Sequence, residues 1–291
     1  MPSTDEANVI AEWTRRGRRL DVLGAGTTVW EEGTGDPVVC LHGVPASAFL
    51  YRKVLPELAA RGQRGVAFDF PGLGLADRPQ EFDYSWSGLS AWTVEALDAL
   101  ELDRFHLLVH DIGGPIGFDV VARIPNRVAS LTALNTIVRV ASFKRPWSME
   151  PFARRGIGEI YLRTLHPVAF ERLMRLQGVA TPVPAAELRA YVPLLKGKDG
   201  GAAFLRIMRG FERTEAFERR ILAALASRDF PAQVLWGERD PALKLDPYAE
   251  HVRQALAVET VTRLGGKHFV QEDAPQQIAD YVSRLAACAD G

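Results

Sequence analysis

A chain of 291 residues, 47% hydrophobic and 24% charged, has the composition of an ordinary soluble globular protein and is long enough for a large α/β domain with a sizeable core. Its net charge of −1 gives no reason to expect nucleic acid or an anionic membrane as a partner, and no apolar run approaches the ~20 residues of a membrane span. Two unrelated cysteines, Cys40 in an apolar run and Cys288 near the C-terminus, fit no disulfide framework; with a polar N-terminus lacking an apolar leader they predict a cytoplasmic protein.

Residues 1–18 are polar and are expected to form a frayed tail. Residues 19–23 and 27–30 read as a hairpin over Gly24-Ala25-Gly26. Short β-rich runs then alternate with helical stretches. Strands are expected at 37–41, 65–70, 105–109, 128–135, 232–236 and 258–264, and helices at 53–60, 89–100, 116–123, 248–256 and 276–287. Near-continuous apolar strands separated by helices imply a mostly parallel sheet covered on both faces, an α/β fold.

The alternation lapses between residues 139 and 225, where no strand-like run occurs and stretches such as 158–177 and 202–217 look helical. This segment is expected to be a helical cap, inserted between the sixth and seventh strands of a core formed by residues 19–138 and 226–291. It holds 16 Lys/Arg against 8 Asp/Glu, a charge of +8 facing −9 for the remainder. Solvated helix faces and attraction between cap and core account for that plainly. The functional alternative is a positive field that draws an anionic substrate to a cleft.

Chemistry concentrates where strands end. The run 105–109 stops at His110-Asp111-Ile112-Gly113-Gly114, and a helical pattern starts at Pro115. This is the strand–turn–helix layout of a nucleophile elbow, with Asp111 where G-x-S-x-G would carry serine. A carboxylate there suits displacement at an sp³ carbon, giving an alkyl-enzyme ester that water later opens. A strand ending in Asp-x-Gly-Gly is otherwise simply a turn.

A covalent mechanism also needs an oxyanion hole and a base for water. The loop His42-Gly43-Val44-Pro45 follows the 37–41 strand, so the backbone N–H groups of Val44 and Ile112 are expected to face an oxygen of Asp111, with His42 structural. His268, in Gly265-Gly266-Lys267-His268-Phe269 after the last strand, is the candidate base; His106 falls in a strand and His166 and His251 in helical stretches. Asp240, at the exit of the preceding strand, is placed to orient His268, with a turn or helix cap before Pro241 as its plainer role. Glu238 is a weaker rival, and Asn135, at the exit of the sixth strand, carries no charge. Scattered histidines and the lack of a glycine-rich phosphate loop imply neither metal nor organic cofactor.

The order Asp111…Asp240…His268 resembles that of α/β-hydrolases. More narrowly, the chain looks like the aspartate-nucleophile branch of that superfamily, which includes haloalkane dehalogenases and epoxide hydrolases, over about residues 20–287. The resemblance rests on His42-Gly43-Val44-Pro45, Asp69-Phe70-Pro71-Gly72-Leu73-Gly74, His110-Asp111-Ile112-Gly113-Gly114, Trp236-Gly237-Glu238-Arg239-Asp240-Pro241 and His268-Phe269-Val270-Gln271-Glu272-Asp273. The last stretch, and an acid after the seventh strand, are most similar to haloalkane dehalogenases. An α/β-hydrolase fold, a small hydrophobic substrate and no cofactor are implied, with oligomeric state left open.

Two departures bear on substrate class. Dehalogenases of this branch cradle the halide with a Trp directly after the nucleophile and an Asn or second Trp elsewhere, whereas Ile112 and Val44 offer no side-chain N–H. Trp147 in the cap is the remaining candidate donor. Epoxide hydrolases use cap tyrosines to protonate the epoxide oxygen, and the cap holds Tyr161 and Tyr191. A strained epoxide needs no halide cradle, so epoxide hydrolysis is expected ahead of carbon–halogen hydrolysis. A third reading is a ligand-binding member of the fold without turnover.

Overall fold

Eight strands, β1 (Arg18–Leu20), β2 (Thr27–Glu32), β3 (Pro37–Leu41), β4 (Arg64–Phe68), β5 (Phe105–Asp111), β6 (Val128–Thr136), β7 (Ala232–Gly237) and β8 (Val261–Leu264), form one sheet in the order β1-β2-β4-β3-β5-β6-β7-β8. The computed structural model describes residues 4–289. Only the β1–β2 and β2–β4 pairs are antiparallel; from β4 to β8 every pair is parallel.

The apolar runs form strands because both faces of the sheet are covered. Helices α2 (Val54–Ala59) and α13 (Pro275–Ala289) pack together on one face, and α3 (Trp86–Ala99) and α4 (Gly113–Arg123) on the other. Side chains alternate along a strand. Accordingly Leu107 and Val109 of β5 enter one hydrophobic cluster with Ile116 and Phe118, while Leu108 enters a second with Val38, Leu134 and Ile278.

The chain leaves β3 for β4 on one side, then crosses to place β5 on the other. Strand order therefore reverses between β3 and β5, and a crevice opens outside their carboxyl ends. The loop after β3 and the turn after β5 meet there.

Between β6 and β7 the described chain is entirely helical or loop: α5 (Glu150–Ala153), α6 (Ile157–Thr164), α7 (Pro167–Leu173), α8 (Ala185–Lys196), α9 (Ala202–Arg209) and α10 (Glu215–Ala226). The stretches 158–177 and 202–217, read from sequence as helical or loop-like, are helices joined by short breaks. Pro167 disfavours helical conformation at His166, which instead caps α7 by accepting the Val168 N–H. Gly210 ends α9, and the Thr214 side chain accepts the Phe217 N–H to start α10. Although α10 lies in the stretch expected to form the cap, it packs on α4, where Arg220 pairs with buried Asp119 at 2.6 Å. Helices α11 (Glu250–Ala255) and α12 (Val270–Asp273) complete the chain.

The frayed tail expected at 1–18 is corrected by the structure. Residues 4–16 form α1 (Thr4–Arg16), and only residues 1–3 of that stretch lie outside the described residues. Val9, Ile10 and Trp13 share a face of α1 and dock it. Trp13 stacks on Trp30 with centroids 4.3 Å apart, meets Phe49 edge-on at 5.8 Å, and accepts the Trp30 indole N–H at its carbonyl. An overall polar composition hid that stripe. No helix among the described residues is long and apolar enough to cross a membrane.

Candidate active site

Asp111 ends β5 with φ at +53°, a left-handed conformation that a non-glycine residue adopts only where its surroundings enforce it. Enforcement comes from Thr136 at the end of β6, whose hydroxyl donates to the Asp111 carbonyl at 2.5 Å. The β3 loop closes in from the other side. A Cβ on Gly43 would lie 2.2 Å from Asp111 Oδ1, so only glycine lets the backbone come near enough for Val44 N–H to donate to that oxygen at 2.9 Å. Ile112 opens α4, but among the described residues its N–H makes no hydrogen bond to the carboxylate, so of the two expected donors Val44 alone engages.

The other carboxylate oxygen, Oδ2, faces His268 Nε2 at 3.6 Å, too long for a hydrogen bond but close enough for strong attraction. His268 lies on the loop between β8 and α12, and its Nδ1–H donates to Asp240 Oδ2 at 2.8 Å. Asp240 is buried and well satisfied: Oδ1 accepts the N–H groups of Ala242 (2.7 Å) and Leu243 (3.0 Å), and Oδ2 accepts the Asn135 amide (2.9 Å). Glu238, the rival acid, is exposed.

Asn135 holds this arrangement from β6. Its φ is +26°, its Oδ1 accepts the Gly237 N–H at 2.8 Å, and its amide aligns Asp240. Sequence reasoning set Asn135 aside because it carries no charge. The available signal was its position, at the exit of a strand adjacent to the one that delivers Asp240.

Burial disfavours the charged form of His268, but the carboxylates of Asp240 and Asp111 outweigh it and push the imidazole pKa up to about 10. Burial likewise works against the Asp111 charge, yet His268 and the Val44 N–H hold its pKa below the ordinary carboxylate value. Both neighbouring acids thus favour the charged form of His268. The neighbouring rings stay neutral. Burial, and for His110 the charge of His268, lower both His110 and His42 to about 4. His110 Nε2–H donates to the His268 carbonyl at 2.8 Å; His42 donates from Nδ1 to the Gly43 carbonyl and accepts the Phe70 N–H at Nε2, the structural role expected of it.

Above Asp111 lies a cavity of about 80 Å³, room for several waters or a small organic molecule. Its walls are mostly apolar and include Val44, Ile112, Phe143, Phe152, Leu165 and Phe211. Tyr161, from α6, lines it as expected. The other two expected substrate contacts are corrected. Tyr191 is 1% exposed outside the cavity wall, its hydroxyl donating to Glu272 at 2.7 Å inside an ion-pair cluster with Arg52 and Lys53. It belongs to a packed interior: its ring meets Phe49 at 5.3 Å and Phe269 at 5.7 Å, and Phe269 meets His268 at 5.2 Å. Trp147 is 71% exposed while its neighbours Pro146 and Ser148 line the cavity, so its indole faces solvent. Sequence reasoning missed three polar wall residues, Arg145, Ser148 and Gln177. No group of His, Cys, Asp and Glu among the described residues could hold a metal ion.

A carboxylate lifted on a strained turn, steadied by a backbone N–H and faced by a histidine–aspartate pair, on a mostly parallel sheet, defines an α/β-hydrolase; the alpha/beta hydrolase fold family matches residues 36–275, and the chain belongs to it. Within it, the chain is a hydrolytic enzyme of the aspartate-nucleophile branch that holds haloalkane dehalogenases and epoxide hydrolases. It is 31% identical over 252 residues to haloalkane dehalogenase 1 of Mycobacterium bovis, covering 84% of this chain and 81% of the relative. It is 30% identical over 265 residues to the haloalkane dehalogenase of Mycobacterium marinum, covering 87% and 86%. The crystal structure of haloalkane dehalogenase DbeA from Bradyrhizobium elkani superposes with a TM-score of 0.78 at 23% identity, over 94% of this chain and 99% of that one.

Proposed function

We propose that the enzyme opens a small electrophile, an epoxide in the first place, through an ester on Asp111, with Asp111, His268 and Asp240 as its catalytic triad and α5–α9 as a cap over the cavity. The reading is carried by one observation: Asp111 Oδ1 is held on Val44 N–H while Oδ2 points to His268, whose far nitrogen is bonded to Asp240. Oδ2 is the oxygen free to attack. As it bonds to carbon, the C–O bond of the epoxide breaks and the departing oxygen takes the proton of Tyr161.

Ester formation removes the negative charge of Asp111. His268 loses one of the two carboxylates that hold its proton, which passes through solvent to the tyrosinate. The neutral imidazole, kept in its Nδ1–H tautomer by Asp240, then takes a proton from water as the hydroxyl adds to Asp111 Cγ. Negative charge develops on Oδ1 against Val44 N–H, with the N–H of Ile112, the residue after Asp111, as the second proposed donor. Collapse restores the carboxylate and releases the diol.

A carbon–halogen bond is the second reading, favoured because the curated relatives at 30–31% identity are haloalkane dehalogenases. Ile112 and Val44 give a halide no side-chain donor, whereas Tyr161 supports the epoxide. A ligand-binding role without turnover gives no reason for the aligned Asp240–His268–Asp111 array. The test is intact-protein mass spectrometry of His268→Gln incubated with 1,2-epoxybutane and 1-bromobutane. An ester on Asp111 is expected from the epoxide; no adduct from either would overturn the reading.

A further inference from the structure

The cavity wall contains a cation that the aspartyl-ester chemistry leaves unused. Arg145 lies in the loop between β6 and α5, lines the same cavity as Asp111, and its side chain is 6% exposed. A guanidinium does not lose its proton in a protein, so this is a buried positive charge, costly unless paired. Its pairing is incomplete. One terminal nitrogen donates to the Met208 carbonyl at 2.7 Å, and the group stacks on Phe211 at 4.7 Å, but Nε is buried with no hydrogen-bond partner among the described residues. Glu150 is 3.7 Å from Nη1, beyond hydrogen-bonding distance, and its other oxygen faces Arg154, also at 3.7 Å.

Further positive charge surrounds it. Arg213 donates to the carbonyl of Phe143, another wall residue, and makes no ion pair among the described residues. Burial, followed by the charge of Arg213, lowers the pKa of Arg145, so its surroundings disfavour the cation they enclose. At this point the +8 of residues 139–225 acquires a local meaning.

We propose that Arg145 anchors a carboxylate, and that the substrate carries this group beside its electrophilic carbon: a short epoxy- or halo-carboxylate. For the reacting end of the substrate, the inference rests on the aspartyl-ester reading. The cavity is lined by the Asp111 carboxylate, with Asp240 buried behind His268, so an acidic substrate brought up to Asp111 needs a fixed cation in the wall. One guanidinium whose Nε–H is left unpartnered among the described residues matches a single carboxylate in charge. A phosphate monoester would bring a second charge without a buried partner. Gln177, in the same wall, accepts the Ser148 hydroxyl at its Oε1 (3.4 Å) and adds its amide N–H groups as neutral donors.

The test compares kcat/KM for 3,4-epoxybutanoate against 1,2-epoxybutane, and for 4-bromobutanoate against 1-bromobutane, in wild type, Arg145→Met and Arg145→Lys. In parallel, calorimetry measures binding of butanoate and butan-1-ol, which needs no chemistry. Wild type is expected to prefer the acid of a reacting pair and to bind butanoate better than butan-1-ol. Arg145→Met should lower both preferences about tenfold or more, with Arg145→Lys in between. Equal preferences in wild type and Arg145→Met overturn the anchor. So does wild type binding butanoate no better than butan-1-ol, a result that stands even if Arg145→Met fails to fold. Should butanoate bind through Arg145 while none of the four electrophiles yields an ester on Asp111, the aspartyl-ester reading fails and the anchor stands.

Discussion

Asn135 and Asp240 meet through a 2.9 Å hydrogen bond, amide to carboxylate, that joins the end of β6 to the exit of β7. The other end of the same amide is fixed by the Gly237 N–H, so Asn135 orients the acid as Asp240 orients His268. Removing a hydrogen bond to a charged group costs about 1.5–3 kcal/mol, roughly 10–100-fold in rate. Asn135→Ala should therefore slow ester hydrolysis by that factor and leave formation of the ester less affected. Rapid-quench measurement of the two steps separates them, and an equal loss in both would point to general damage.

Removal of the proposed nucleophile, Asp111, and of the proposed base, His268, should give different failures. Asp111→Asn is expected to abolish turnover by about 10³-fold or more, since an amide is a poor nucleophile. His268→Gln should still form the ester and stop there, visible as a stable mass increase on the intact protein. Multiple turnovers by either variant would reverse the assignment of roles.

The pKa shifts predict opposite pH responses for the two steps. Asp111 lies below the ordinary carboxylate value, so ester formation should stay level through neutral pH and fall only in acid. Ester hydrolysis needs neutral His268, whose pKa in the ester, without the Asp111 charge, falls below the value of about 10 in the free enzyme. That step should rise with pH to a plateau. For stability the sign is fixed: a raised folded-state pKa stabilises fully below the ordinary imidazole value of about 6.5, and the gain is lost as pH rises through about 10. The Tm gap between wild type and His268→Gln should narrow over that interval.

The two tyrosines expected at the site should now separate. Tyr161→Phe removes the proposed proton donor and should slow opening of 1,2-epoxybutane by about 10²-fold or more, with little effect on any release of bromide from 1-bromobutane. Tyr191→Phe breaks its hydrogen bond to buried Glu272 and should lower stability by about 1.5–3 kcal/mol with kcat retained. Steady-state kinetics and denaturant melts of both variants decide.

The sheet was legible because its strands are continuous apolar runs with turn residues at their ends, and Asp111, Asp240 and His268 stood out as polar residues directly after such runs. What stayed hidden depends on where a side chain points. Tyr161 and Tyr191 lie on α6 and α8 with nothing in sequence to tell them apart, yet one lines the cavity and the other completes a buried ion-pair cluster. Trp147 and Arg145 are two positions apart in a loop without periodicity, and there the indole faces solvent while the guanidinium faces inward. Asn135 escaped notice because its contribution is alignment, which leaves no mark on charge or pattern.

The rings of Trp30, Trp13, Phe49, Tyr191, Phe269 and His268 touch in succession, so a file of aromatic contacts runs from the first described helix to the group that faces Asp111. Only the Trp13–Trp30 pair is stacked and the later contacts are edge-on, but rings in a close-packed interior transmit strain to one another. A purification tag fused at the N-terminus, or a deletion that trims the opening residues to Trp13, therefore handles the outer end of a file of rings whose inner end is the imidazole facing Asp111. The same geometry makes the Trp13–Trp30 pair a built-in fluorophore for watching that file from outside.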